Sequence, residues 1–179
     1  RLDGPRTAGA DPAQILLAAS AADVDTVFAI FADPEFIQSK YAAIGSNQAQ
    51  IETNDASSDG HHLVVRRVVQ MNVPGFAKKV LKSENTIVQT ERWGAADADG
   101  GRSGTWEADA VGVPSTTGGN LRLEPTSAGC IHHVIGEVKV NIPLIGGKIA
   151  DFAGGQALDQ IRAAELHCVE SHHQRHNQQ

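Results

Sequence analysis

One arginine and one glutamate stand where an extended chain should be apolar. Over residues 61–71, Leu63, Val65, Val69 and Met71 alternate onto one face, and Arg67 falls among them. Over 83–94 the face that carries Ile87 and Trp93 also carries Gln89 and Glu91. Successive side chains of a strand point to opposite faces, so Arg67, Gln89 and Glu91 are expected on a covered side. Charges taken out of water need partners. The pattern therefore predicts that Arg67 and Glu91 meet on the concave face of a sheet and anchor the polar end of a ligand. A one-residue slip in register, or a bulge, would turn them into solvent instead. A Glu91 held in a dry pocket would have a raised pKa and would then serve as a general base, which is the enzymatic alternative.

The histidines and cysteines are a second set with chemical potential. His172 and His176 lie four apart, with His167-Cys168 a turn earlier, while Cys130, His132 and His133 open the last strand-like segment. A helix folding back along that strand would bring the two groups together, open to a Cys/His zinc site or to a Cys130–Cys168 disulfide. The spacings match no recognised metal signature, so no metal or other cofactor is expected. Gly146-Gly147-Lys148 lacks the first glycine and the final Ser/Thr of a phosphate-binding loop. No Gly-x-Ser-x-Gly nucleophile elbow occurs.

The elements that must position these groups show in the periodicity. An apolar run within 10–19 fits a buried strand. Ser20 precedes Asp23 by three residues, close to a capping box, and Val24, Val27, Phe28 and Phe31 follow at helical spacing. Asp33-Pro34 supplies an N-cap and a first-turn proline for a second short helix, carried by Ile37, Tyr41 and Ile44 and ended by Gly45. From residue 47 the period becomes two, giving strands at 47–53, 61–71, 83–94, 103–112, 117–125 and 129–142. Their short links imply antiparallel pairing. Alternations such as Trp106, Ala108 and Ala110 against Glu107 and Asp109 give a sheet with one wet and one covered face.

The cover is the last element. From Pro143 to about His172, Ile149, Phe152, Ala153, Ala157, Ile161, Ala164 and Cys168 recur at steps of three and four. That is a helix of about 27 residues, ~40 Å long. Gly154-Gly155 in its middle is costly to helix stability and suggests a close backbone approach or a slight bend. The order is α+β: strand, two short helices, six strands and one long helix, with a curved antiparallel sheet wrapped around the C-terminal helix.

Composition limits the function classes. The chain has 179 residues, 41% hydrophobic and 20% charged, with a net charge of −6, too apolar and too weakly charged for a disordered chain. The longest apolar run is far short of a membrane span. Two cysteines make no disulfide scaffold and point to a reducing, cytoplasmic setting. The acidic balance argues against nucleic acid as a partner. One domain over 10–172 is expected, with flexible ends at 1–9 and 173–179; the start at Arg1 reads as trimmed.

The element order, together with Val68-Val69-Gln70-Met71-Asn72-Val73-Pro74, Thr86–Trp93, Gly104-Thr105-Trp106 and the stretch Gly136–Ile149, resembles a family of unknown function in the START-like, or SRPBCC, helix-grip superfamily. The resemblance implies a cavity between sheet and helix for a hydrophobic ligand, and brings no catalytic motif. On the strands the expected ligand contacts are Arg67, Gln89, Glu91, Trp93 and Trp106. Elsewhere they are Phe76, Phe152, Ala153, Ala157 and Ile161. Small side chains on the helix, such as Ala153, Gly154, Ala157 and Ala164, leave space that a packed core would fill. Met71–Lys82, with Phe76 and Val80 beside Lys78, Lys79 and Lys82, is expected to form an amphipathic lid at the cavity mouth. The expected role is binding or carrying a fatty acyl, isoprenoid or polyketide-like molecule. The alternatives are a cyclase or dehydratase using Glu91, or an interaction domain with a collapsed interior. Expected partners are the small hydrophobic ligand, at most a transient membrane contact, and a second copy of the chain.

Overall fold

The computed structural model describes the backbone of residues 15–46 and 48–176, and the side chains of 19–46 and 48–168. Strand β1 (Ile15–Ser20) leads into helices α1 (Val24–Ala32) and α2 (Pro34–Ala43). Six strands follow: β2 (Gln50–Ser57), β3 (Gly60–Gln70), β4 (Glu84–Trp93), β5 (Arg102–Ala110), β6 (Ser115–Thr126) and β7 (Gly129–Val140). The long helix α3 (Gly146–His176) closes the order. The strands form one antiparallel sheet in the order β1-β7-β6-β5-β4-β3-β2, so α1 and α2 connect the two edge strands.

Local signals decide most boundaries. Asp33 accepts from the Glu35 N–H and Pro34 opens α2, as the sequence predicts. Ser20 does not cap α1. Asp23 takes that role by accepting from the Thr26 N–H, and the Ser20 hydroxyl serves Ala22 in the turn before it. The long helix runs on to His176, beyond the expected end near His172, because no proline or glycine intervenes to stop it.

The covered face follows the alternation read from the sequence. Leu63, Val65, Arg67 and Val69 on β3 are all buried, as are Leu121 and Leu123 on β6 and Val134 on β7. Helix α1 packs Val24, Val27 and Phe28 against Trp93, Trp106, Leu121 and Leu123. Helix α2 packs Ile37 and Tyr41 onto Leu63 and Val65. Ala77, Leu81 and Ile149 form a third cluster around the start of α3. The principal contacts of α3 are with β7, α2 and β1, so it leans on one side of the concavity.

Two glycines allow Trp106 to cross the sheet. Gly119 faces Trp106 on one side and Gly136 on the other in the strand registers. The indole lies over Gly136, where any added Cβ would overlap the ring, and its Nε1–H donates to the Ile135 carbonyl at 3.0 Å. The helix glycines behave differently from expectation. Nothing lies within 4 Å of a Cβ built on Gly155, and Gly154 meets only Val138 at 3.9 Å, so no close backbone approach explains the pair.

This contrast is testable. Gly136→Ala is expected to lower the unfolding free energy by about 1–3 kcal/mol, the usual cost of overpacking. Gly155→Ala is expected to raise it by about 0.5–1 kcal/mol through helix propensity. Urea unfolding of both variants reads the signs; a Gly136→Ala as stable as wild type would mean that Trp106 does not rest on that strand.

Candidate functional site

Two cavities lie between the concave face and α3. The first, about 110 Å³, is walled by α2, the strands and the helix residues Ala157, Ile161, Ala164 and Cys168. The second, about 90 Å³, is bounded by Val69, Met71, Leu81, Ile87, Val138 and Ile149. Arg67, Ala108, Thr117, Ala157 and Gln160 border both. Each is well above the ~30 Å³ that a water molecule occupies in the liquid. A wider open groove of about 610 Å³ runs between β7 and α3 past Gly154 and Gly155. It shares Trp106, Val134, Ala157 and Ile161 with the first cavity, and thus adjoins it.

The polar residues read from the strands do point inward, but their pairing differs from expectation. Arg67 stands opposite Ile87 on β4, whereas Glu91 stands opposite Leu63. That offset of four residues along β4 is about 13 Å between backbones, and among the described residues no ion pair joins Arg67 to Glu91, so the two do not form the expected pair. Gln89 stands between them instead. Arg67 Nη2 donates to Gln89 Oε1 at 3.4 Å, and Gln89 Nε2 donates to Glu91 Oε1 at 2.9 Å. Arg67 Nη1 donates across the cavity to Gln160 Oε1 on α3 at 3.1 Å. The ionic partner of Glu91 is Lys40 on α2, at 3.9 Å. The Tyr41 ring lies against both cations, 4.9 Å from Lys40 Nζ and 5.3 Å from the Arg67 guanidinium carbon.

Electrostatics correct a second expectation. Burial alone would raise the Glu91 pKa, yet Lys40, the Gln89 amide and His132 together outweigh it and hold Glu91 below the usual carboxylate value. Glu91 is therefore not the raised-pKa base that a dry pocket would produce. Burial likewise opposes the charge on Lys40, but Tyr41 and Glu91 prevail and its pKa is raised. Burial pushes Tyr41 up and pulls Arg67 below its ordinary value. Among the described residues, Arg67 Nε and His132 Nε2, on residues lining the first cavity, are buried and have no hydrogen-bond partner.

The remaining predicted residues divide. Trp106, Ala157 and Ile161 line the first cavity, and Ala153 and Ala157 the second. Trp93 is packed behind the first cavity, its ring 5.8 Å from that of His132. Phe76 and Phe152 belong to the apolar cluster at the start of α3, where Lys148 Nζ lies 4.3 Å from the Phe76 ring centre. The Met71–Lys82 segment folds as a 3₁₀ turn (Gly75–Ala77) that buries Ala77 and Leu81 and leaves Lys78, Lys79 and Lys82 exposed. It thus caps the end of the second cavity, which Leu81 lines.

The metal-type residues are dispersed. Cys130 and Cys168 are free, the first buried in the core and the second on the cavity wall, where burial pushes its thiol up to about 12. His132 pairs through Nδ1 with Glu165 at 2.9 Å, and His167 pairs with the Ser39 hydroxyl at 2.9 Å. Among the described residues no group of three or more His, Cys, Asp or Glu could hold a metal ion. The side chain of His172 lies outside the described residues.

Sequence reasoning missed Lys40, Tyr41, Gln160 and Glu165 as cavity residues. His132 carried a usable signal, because it alternates onto the same face of β7 as Val134 and Val138. Lys40 carried one too, because it lies four residues after Phe36 and four before Ile44, within the apolar arc of α2. Glu165 lies at the margin of the α3 stripe, four residues after Ile161, and the packing of α2 against α3 turns it inward.

Comparison with known proteins agrees with this architecture. A protein designated TTHA0849 from Thermus thermophilus superposes with a TM-score of 0.59 at 12% identity, covering 89% of this chain and 99% of that one. The Zhui aromatase/cyclase from Streptomyces sp. R1128 superposes with a TM-score of 0.55 at 14% identity, covering 90% of this chain and 92% of that one. At these identities the likeness shows a shared fold, a curved antiparallel sheet gripping a long C-terminal helix. No curated protein matches the chain. Among the described residues no helix is long and apolar enough to cross a membrane. Residues 17–168 match the family described as Protein of unknown function (DUF2505), and the chain belongs to that family.

Proposed function

We propose that this protein binds a small amphipathic acid between the sheet and α3. The anionic group lies at Arg67, and the apolar body lies against the hydrophobic lining of the second cavity. One observation carries this reading: Arg67 is 7% exposed, borders both cavities, and among the described residues its hydrogen-bond partners are the amide oxygens of Gln89 and Gln160. Glu91 is already matched by Lys40. A buried guanidinium without a counter-ion is costly, and a carboxylate supplies the planar, charge-assisted partner that suits it. Apolar burial at ~25 cal/mol per Å² supplies the rest of the affinity. Fatty acyl, isoprenoid and polyketide-like acids all fit this description, and the fold supports a place in the START-like superfamily.

The enzymatic alternative finds one point of support, the likeness to a protein described as an aromatase/cyclase. Glu91 argues against that role in its simplest form. A general base works best with a pKa near the operating pH, and Glu91 is held below its ordinary value by Lys40. It serves better as a fixed carboxylate that orients Lys40. An interaction domain with a filled interior is disfavoured by the two cavities.

Titration with octanoate, followed by calorimetry, tests the anchor. Octanoate is expected to bind with micromolar-range affinity and methyl octanoate at least about tenfold more weakly, since the ester removes one charge-assisted bond. Arg67→Met is expected to erase that difference. Equal binding of acid and ester would remove Arg67 from the role of anchor. Native mass spectrometry of protein purified from its own host should in turn reveal a co-purifying acid.

The Lys40–Glu91 pair predicts a pH profile. Glu91 has a folded pKa below its ordinary 4.5, so its contribution is present above that value and is lost as pH falls through the folded one. Lys40 has a folded pKa above its ordinary 10.5, so its contribution is present below that value and is lost as pH rises. The difference in unfolding free energy between wild type and Glu91→Gln is therefore expected to stay flat from about pH 6 to 9 and to shrink below about pH 4.5. A difference that changes near neutrality would mean that Glu91 titrates there and would restore it as a base.

A further inference from the structure

We infer that the end of the molecule where β3 joins β4, β5 joins β6 and β7 joins α3 is a docking surface for an anionic lipid bilayer. Its purpose rests on the acid-binding reading, since a bilayer is where an amphipathic acid resides; the contact itself does not.

The strand order brings the connections 71–83, 111–114 and 141–148 to one end of the sheet. They pack as a unit. Phe76, Val80, Val113, Ile142 and Ile145 gather around Ala77, Leu81 and Ile149. The Asn141 N–H also donates to the Pro114 carbonyl at 2.8 Å. Leu81, Val113 and Ile149 line the second cavity, so this surface lies directly over its end.

Charge is segregated here. The three connections carry Lys78, Lys79, Lys82 and Lys148 and no aspartate or glutamate, in a chain with a net charge of −6. All four lysines are exposed. Among the described residues none of them forms an ion pair, whereas Arg66, Arg122 and Lys139 each have a carboxylate. Glu84, Asp109 and Asp151 flank the connections, and Glu84 bonds to Gln70 instead. The opposite end of the sheet has Asp59, Asp97 and Asp99 in its turns. An anionic surface would therefore attract the lysine end and turn the aspartate end away.

The same end offers apolar side chains to solvent. Leu144 is completely exposed, and Val111 on the neighbouring connection is 53% exposed. Leu144 has φ 70°, and among the described residues no other side-chain-bearing residue has a positive φ. Across it the Ile145 N–H donates to the Pro143 carbonyl at 2.9 Å, closing the rarer, strained form of γ-turn. Strain that holds a leucine out in water is not explained by packing, and such outliers concentrate at functional positions. A leucine beside lysines suits a lipid surface: the apolar group enters the acyl boundary while each lysine gains from anionic headgroups. A protein partner fits less well. Protein interfaces enrich arginine and deplete lysine, and all four cations here are lysine.

Cosedimentation of the full chain with vesicles tests the surface, using phosphatidylcholine alone and phosphatidylcholine with about 30% phosphatidylglycerol. The protein is expected to partition at least about tenfold more strongly onto the anionic vesicles, and salt at about 0.5 M should erase the difference. Lys78→Gln should weaken that partition about fivefold. Arg162→Gln removes the same charge about 20 Å further along α3 than Lys148 and should weaken it less than about twofold. Leu144→Gly should weaken it severalfold with an unchanged or higher thermal midpoint, because glycine accepts a positive φ without strain. Equal partition onto the two vesicles, equal losses for Lys78→Gln and Arg162→Gln, or full binding by Leu144→Gly overturns the inference. Octanoate binding without vesicle association overturns the docking and leaves the acid-binding reading standing. Vesicle association without octanoate binding supports the docking and removes that reading.

Discussion

The hydrogen bond from Arg67 to Gln160 spans the gap between sheet and helix, and the interior is organised around it. It links β3 to the middle of α3 across space that apolar side chains do not fill. A long helix lying on a curved sheet would ordinarily settle until the voids closed, since native interiors approach crystal-like density. Here α3 is held near both of its ends. Ile149 is fixed by Ala77 and Leu81 near the start, and His167 by Ser39 and the Phe36 ring near the far end. Between these supports three inward residues, Ala153, Ala157 and Ala164, are too short to reach the strands, while Ile161 packs toward them and Gln160 meets Arg67. The Arg67 guanidinium and the Trp106 indole occupy part of the remaining width, and the cavities are what is left.

Two buried cations face this space under different regimes. Lys40 has a carboxylate, and the pair stabilises both charges, which is why Lys40 is raised and Glu91 lowered against the pull of burial. Arg67 has two amides, which satisfy its N–H groups without neutralising its charge. A protein that needed Arg67 only as a strut would have done better with a carboxylate at residue 89 or 160, because charge-assisted bonds are roughly twice as strong as neutral ones. Glutamine at both positions keeps the guanidinium placed yet electrostatically open. That is the property expected of a residue whose counter-ion arrives with the ligand.

Much of the fold was legible from periodicity, because backbone and burial set it. The alternation in 61–71 and 83–94 needed only that each strand have one covered face, and it correctly turned Arg67, Gln89 and Glu91 inward. The i, i+3, i+4 stripe of α3 likewise located Ala157 and Ile161. The pairing failed because alternation identifies the face and not the register: Arg67 and Glu91 share a face but lie about 13 Å apart along it. Lys40 failed for another reason. On α2 it falls between Phe36 and Ile44 within the apolar arc, and its charge rather than its position hid it until its carboxylate partner, Glu91 on β4, was placed. Phe76, read from the lid segment, and Phe152, read from the helix stripe, both pack into the apolar cluster at the start of α3, because periodicity marks an apolar side chain without saying whether it lines a space or fills one.

The same reasoning separates what the fold confers from what this chain adds. The curved sheet and gripping helix are shared with proteins of very low identity, so the architecture supplies a covered concavity and little else. The polar pattern within it comes from individual side chains: an arginine met by amides, a lysine met by a carboxylate, and a histidine turned by a glutamate. Each costs something in an empty interior. Among the described residues, buried polar atoms without a hydrogen-bond partner occur both on this wall, as at Arg67 Nε and His132 Nε2, and away from it, as at His61 Nδ1, His62 Nε2 and Arg102 Nε, so they do not by themselves single out the cavity. What does distinguish it is the contrast between its two cations, one met by a carboxylate and the other by amides.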